Sequence, residues 1–157
     1  MSIVIKNQIQ IPSVSVMPGF GSKINLSSNT TVTARECKLF EIALHMVCKL
    51  YQHEKRNLSE FPKMNILFTY DFTFEFQNNS ATNLGLYMNL IIYSMQNIRN
   101  NIITELNYLA IYIEELCHCV WHIDDELIVK NKVIEVFKLS GLNVTEELFY
   151  LKGGKVE

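Results

Sequence analysis

KMNILFTYDFTFEF, residues 63–76, sets Ile66, Phe68, Tyr70, Phe72, Phe74 and Phe76 at every second position, with Asn65, Thr69, Asp71, Thr73 and Glu75 between them. A side-chain period of two belongs to a strand with one buried face, and aromatic and β-branched residues suit a pleated surface. The spacing predicts one strand across this segment. The turn-rich QNNSATN at 77–83 follows, and LGLYMNLIIYS at 84–94 reads as the next strand. Two such runs joined by a polar link predict a hairpin, and with it a small, twisted, mainly antiparallel sheet.

Upstream of this segment, Ile3, Ile5, Ile9 and Ile11 alternate with polar residues and predict one or two early strands. Pro18, Gly19 and Gly21 punctuate a loop, and SKINLSSNTTV at 22–32 holds a further short strand. Thr33-Ala-Arg-Glu36 spells a capping box, after which Leu39, Phe40, Ala43, Met46, Val47, Leu50 and Tyr51 recur at helical spacing. Downstream, the pattern turns helical from Asn101, and a continuous helix would carry Leu106, Leu109, Ile113, Leu116, Val120, Ile123 and Leu127 in one apolar stripe. A second helix over DDELIVKNKVIEVFKLSGLN, 124–143, would be capped by Asp124 or Asp125 and stopped near Gly141, with a short last helix from Thr145. No internal repeat or low-complexity segment interrupts residues 1–157, which read as a single α+β domain, the sheet packed against a few helices.

At 157 residues the chain is long enough to bury a core without staples, and 48% hydrophobic and 19% charged residues are the balance of a soluble globular protein. The net charge of −2 and the scattered basic residues exclude a general pull toward nucleic acid or anionic membrane, so neither is an expected partner. The N-terminal MSIVIKNQIQIPSV lacks the charged and apolar regions of a signal peptide, and no apolar run reaches membrane-spanning length. Cys37 and Cys48, three helical turns and roughly 16 Å apart along one axis, cannot bridge each other. Reduced thiols and a cytoplasmic location are the expectation.

The chemistry gathers in YIEELCHCVWHIDDE, residues 112–126. At about 100° per residue, Glu114, Glu115, His118, His122 and Asp125 fall on one flank of the helix, away from the leucine stripe. Glu114 and His118 are i,i+4 neighbours and can share one ion, and Glu115 beside them can take a proton from a metal-bound water. His122 would lie roughly 12 Å from Glu114 along a continuous axis, so one ion cannot touch both. A third ligand therefore requires the helix to break after His118, which brings Asp124 or Asp125 within reach; otherwise it comes from the following helix. The plain alternative is a solvated helix face, which carries the same residue types. Cys117-His118-Cys119 is a poor zinc motif because helical neighbours point apart; Cys117 reads as core.

The order NLGLYMNLIIYS, polar link, ITELNYLAIYIEELCHCVWHIDDE resembles the edge strand and active-site helix of the zincin metallopeptidases, whose pattern is His-Glu-x-x-His on a helix following a twisted sheet. The matching residues are Glu114, Glu115, Leu116, Cys117 and His118, with Glu114 in place of the first histidine. The resemblance implies metal ligation by Glu114 and His118 and a general base at Glu115. Its metzincin branch, with a third ligand six residues past the second histidine, implies Asp124. Trp121 stands where that branch has a glycine, and no Met-turn is found. A carboxylate in place of a neutral imidazole adds negative charge and lowers the Lewis acidity available to bound water. It also suits Mn²⁺ or Mg²⁺ better than a nitrogen-rich site would.

Three readings follow. One is a metal-dependent peptidase or hydrolase, using zinc or another divalent metal, with peptide lying along 83–94 by strand addition. The second is a zincin-like pseudoenzyme, with weakened or lost hydrolysis and with or without metal, that binds a peptide or protein through the same strand edge or cleft. The third is a regulatory α+β module whose resemblance is accidental. Oligomeric state is left open.

Overall fold

The computed structural model describes residues 3–78, 82, 84–102, 104–151 and 154–155. Its elements in chain order are β1 (Ile3–Ile5), β2 (Ile24–Ser28), α1 (Ala34–His53), β3 (Met64–Thr69), β4 (Phe76–Asn78), β5 (Leu90–Ser94), α2 (Met95–Asn101), α3 (Glu105–Val120) and α4 (Glu126–Leu139). A 3₁₀ turn over Glu146–Phe149 and a small ribbon of β6 (Tyr150–Leu151) and β7 (Gly154–Lys155) follow. The α+β class read from the sequence is the class observed.

Local signals place the helices. The Thr33 hydroxyl accepts from the Glu36 amide at 3.1 Å while Glu36 reaches back to the Thr33 amide at 2.9 Å, so the capping box starts α1 as predicted. The Ser94 and Thr104 hydroxyls accept from the Asn97 and Asn107 amides, each at 3.2 Å, and so cap α2 and α3. Asp125 accepts from the Ile128 amide at 2.9 Å and starts α4. Gly141 follows the end of α4 at φ +83°, a conformation costly for any residue with a Cβ. The expected last helix is the 3₁₀ turn, which begins one residue after Thr145.

The sheet departs from the expectation. β2, β3 and β5 form a three-stranded sheet in that order, and both ladders are parallel, Ile24 facing Met64 and Asn65 facing Leu90. The predicted hairpin of 63–76 with 84–94 is therefore corrected: β3 and β5 run the same way. The alternation misled because it continues through a turn. Thr69 Oγ1 accepts from the Phe72 amide at 2.9 Å and Asp71 Oδ1 from the Thr73 amide at 3.2 Å, a side-chain-built turn that ends the strand at Thr69. The chain then leaves the sheet, and β4 pairs antiparallel with β1 as a separate ribbon. Of the two early strands, Ile3–Ile5 forms and 9–11 does not. Residues 79–81 and 83 of the expected link lie outside the described residues.

One face of the sheet meets α1 and α3 through an aromatic cluster. Phe40 of α1 sits with ring centroids 5.2 Å from Phe68 and 5.3 Å from Tyr112, and Tyr93 lies 5.1 Å from Tyr112. The Tyr93 hydroxyl donates to the Tyr112 carbonyl at 2.8 Å, tying β5 to α3. α4 packs on α3 and α1. Leu109, Ile113, Leu116 and Val120 are buried as the stripe predicts, but the stripe ends there: Leu106 and Leu127 are exposed, and the long helix breaks at Trp121. Among the described residues no helix is long and apolar enough to cross a membrane.

Candidate functional site

The site is built by the end of α3 and the turn into α4. The Trp121 amide caps the helix on the Cys117 carbonyl at 3.1 Å, and His122 adopts φ +53°, reversing the chain. The Ile123 amide then donates to the His118 carbonyl at 3.2 Å. In return, the His118 ring Nδ1 contacts the Ile123 carbonyl oxygen. A carbonyl only accepts, so Nδ1 carries a hydrogen, and Nε2 is the nitrogen that a neutral ring would offer as a ligand. A backbone partner that fixes tautomer and ring orientation is what a metal-binding imidazole requires.

The turn itself is anchored from outside. Trp121 Nε1 donates to Glu54 at 2.7 Å, and Lys132 donates to the same carboxylate at 2.7 Å while its ammonium sits 4.6 Å from the centre of the Trp121 ring. Burial alone would raise the Glu54 carboxyl, but these donors hold it below the ordinary carboxylate range. The break that the ligand argument required is therefore present, and three elements fix it.

Glu114, Glu115 and His118 each offer one ligand atom, and these atoms all lie within 4.8 Å of one another, so the group can hold a metal ion. Their settings differ. Glu115 is exposed and His118 half-buried, but Glu114 is only 6% exposed, and its Oε2 is buried with no hydrogen-bond partner. Burial pushes the Glu114 carboxyl up to about 7, reinforced by Glu115 and Glu126 and opposed by Lys130 and His118. Glu115 is also raised, by partial burial and Glu126 against His118. The helical wheel put Glu114 on a polar flank with Glu115; the structure buries Glu114 near Glu126 and Lys130 of α4 and leaves Glu115 exposed.

Asp124 does not belong to this cluster. It lines, with Glu115, His118, Cys119 and His122, an open groove of about 600 Å³ whose other wall is Phe72 and Asn89–Ile92. β5 is an edge of the sheet, so the groove runs beside a strand with an unpaired side. Because the Asn65 amide donates to the Asn89 carbonyl, the parity of a parallel ladder turns Asn89, Ile91 and Tyr93 toward β3 and leaves the backbone groups of Leu90 and Ile92 on the outer edge. A second hollow of about 410 Å³ shares Phe72, Ile92 and Glu115 with the groove and is walled by Ile98, Ile102 and Ile111. Phe72 sits at φ +66°, a region that bulky residues avoid, and is half exposed.

Asp125 is occupied as the α4 cap. Its replacement by alanine should lower stability by about 1 kcal/mol, measured by urea melts. The sequence reading did not single out Glu126, whose Oε1 lies 3.7 Å from His118 Nε2. The only hint was its place in the first turn of the following helix. Cys117 is buried as read, and Cys119 is half-buried at the groove.

No family model, curated protein or solved structure matches this chain.

Proposed function

We propose that this is a zincin-like, metallopeptidase-related protein that holds a divalent cation between Glu114, Glu115 and His118 and binds an extended peptide along β5, with hydrolysis weakened or lost. The observation that carries the reading is the group of ligand atoms from Glu114, Glu115 and His118, all within 4.8 Å of one another, in which Glu114 carries a buried, partnerless oxygen and the imidazole is oriented by the Ile123 carbonyl. A buried carboxylate without a donor is costly, and a cation relieves that cost while satisfying the lone pair.

The donor set fits a divalent ion: oxygen and imidazole ligands suit Zn²⁺ and Mn²⁺ alike. Such an ion, when bound, polarises a carbonyl or acidifies water. Around it the chain's own groups would act by position. Glu115 faces the groove, where it can ligate or take a proton. The outer edge of β5 supplies backbone donors and acceptors for a peptide strand, and the hollow behind Phe72 and Ile92 accepts an apolar side chain. The strained, half-exposed Phe72 between the two cavities supports a ligand-facing role. Weak hydrolysis follows from the charge count. Two carboxylates and one imidazole leave less Lewis acidity than a histidine-rich site, and Glu115 as a ligand is lost as a base.

Elemental analysis of protein refed with Zn, Mn and Fe should find about one ion per chain in the native protein and little in Glu114→Ala and His118→Ala. Near-zero metal in the native protein would remove the reading. In metal-free protein at pH 8, Glu114→Gln should raise stability by about 2–3 kcal/mol, because a carboxyl raised in the folded state loses stability as pH climbs from its unfolded value through about 7. Added Mn²⁺ should reverse the order of the two melting temperatures.

A further inference from the structure

The three-stranded sheet has a second face, turned away from α1 and α3. Met64, Ile66 and Phe68 of β3 enter the main core, so Asn65 and Leu67, between them, point the other way. The parallel register sets Asn25 and Leu90 on either side of Asn65, and Ser27 beside Leu67. A cavity of about 490 Å³ lies against these residues, walled on the side of the β1–β4 ribbon by Ile5, Phe74 and Phe76. Small-molecule sites have volumes of this order. The ribbon is tied down beyond the end of β2. There the Ile9 amide donates to the Ser28 carbonyl at 2.8 Å, and Asn29 Nδ2 donates to the Thr73 carbonyl at 2.9 Å.

The lining is sorted along the strands. At their start stand Lys23 and Lys63, each immediately before one member of the facing pair Ile24 and Met64. Next come Asn25 and Asn65, joined side chain to side chain at 3.1 Å. Leu67, buried outside the main core, and Phe74, beside the Thr73 anchor, make the far end apolar. No Asp or Glu lines the cavity. The Lys23 ammonium reaches the Ser59 carbonyl at 3.5 Å, and among the described residues neither lysine has a carboxylate partner. Two like charges on one rim, beside low-dielectric walls and without a counter-charge, concentrate positive potential at the mouth of the cavity. An anion relieves it, and an apolar body attached to that anion covers the leucine and the two phenylalanines.

We infer that this cavity binds a small organic anion with an apolar body, the charged head between Lys23 and Lys63 and the body over Leu67 beneath Phe74 and Phe76. The site shares no residue with the Glu114, Glu115 and His118 group and does not rest on the metal reading.

The test is calorimetric titration of the full-length protein with decanoate below its micellar range. Decanol serves as the uncharged probe and acetate as the head without a body. Decanoate should bind at one site per chain. Acetate should bind at least about a hundred-fold more weakly, the worth of a few buried methylenes. Decanol should bind about ten-fold more weakly, the worth of two partly exposed charge contacts. The double variant Lys23→Gln/Lys63→Gln should lower decanoate to the affinity of decanol with an unchanged melting temperature. Lys23→Arg/Lys63→Arg, which keeps both charges, should retain decanoate binding. Equal affinity for decanoate and decanol would overturn the inference, because the cavity would then be an apolar patch alone. Native decanoate affinity in the Lys→Gln double variant would place the anion elsewhere on the molecule and overturn it too, as would no binding by the native protein.

Discussion

Arg99→Met should destabilise the protein by about 1–3 kcal/mol at neutral pH, the cost of leaving the nearly buried Glu36 carboxylate without its partner, which is itself one-third exposed to solvent. The Arg99 guanidinium donates twice to Glu36, at 2.8 Å to each carboxylate oxygen, and once to the Thr31 carbonyl at 2.8 Å. The Glu36 side chain is only 8% exposed. Burial alone would raise its carboxyl; Arg99, with the Thr33 amide, overcomes burial and holds it below the ordinary range. A carboxyl depressed in the folded state contributes stability above its unfolded value, and that contribution is lost as pH falls through the folded value. Without Arg99 the desolvation cost wins and the sign reverses. Urea melts at pH 7 and pH 4 should therefore show the gap between native and variant protein closing toward acid. A gap independent of pH would mean that Arg99 acts by packing alone. Glu36→Gln in the Arg99→Met background should recover part of the loss.

Leu116→Ala should cost about 2–5 kcal/mol and lower the melting temperature by about 10 °C. Leu116 is fully buried, between Glu115, which faces the groove, and Cys117, which faces the core. Truncating it opens a cavity on the face that fixes the rotation of α3, and so affects both carboxylates of the site. An unchanged melting curve would show that α3 does not turn Leu116 into the core.

What the sequence disclosed and what it hid divide along one physical line. Capping is a local event, decided within four residues: Thr33, Glu36 and Gly141 announced their helix ends, and of the two adjacent candidates Asp124 and Asp125 the structure uses Asp125. The break after α3 was only a condition of placing a third ligand, permitted by the adjacent Asp124 and Asp125; the residue that makes it, His122 at φ +53°, gave no sign in the sequence. Strand direction is not local. The run Ile66-Leu67-Phe68, buried on both faces, is the signature of a parallel strand, but the even spacing of aromatics through the turn at 70–73 imitated a longer strand. Burial of Glu114 was hidden for a related reason. A helical wheel shows which residues share a flank, and cannot show which one of them lies against α4. Glu126 comes near His118 only because the chain reverses at His122.

The parallel sheet bears on how the chain reaches its native state. β3 pairs on one side with a strand that precedes it by a whole helix and on the other with a strand beyond the β4 excursion, Ile24 with Met64 and Asn65 with Leu90. Neither ladder can zip from a tight turn. Each requires a long loop to close before any pairing repays the lost entropy, which places such topologies toward the slow end of single-domain folding. Until β5 arrives, β3 offers one bare apolar edge, so the interval before the last strand docks is when the nascent chain is most open to misassociation.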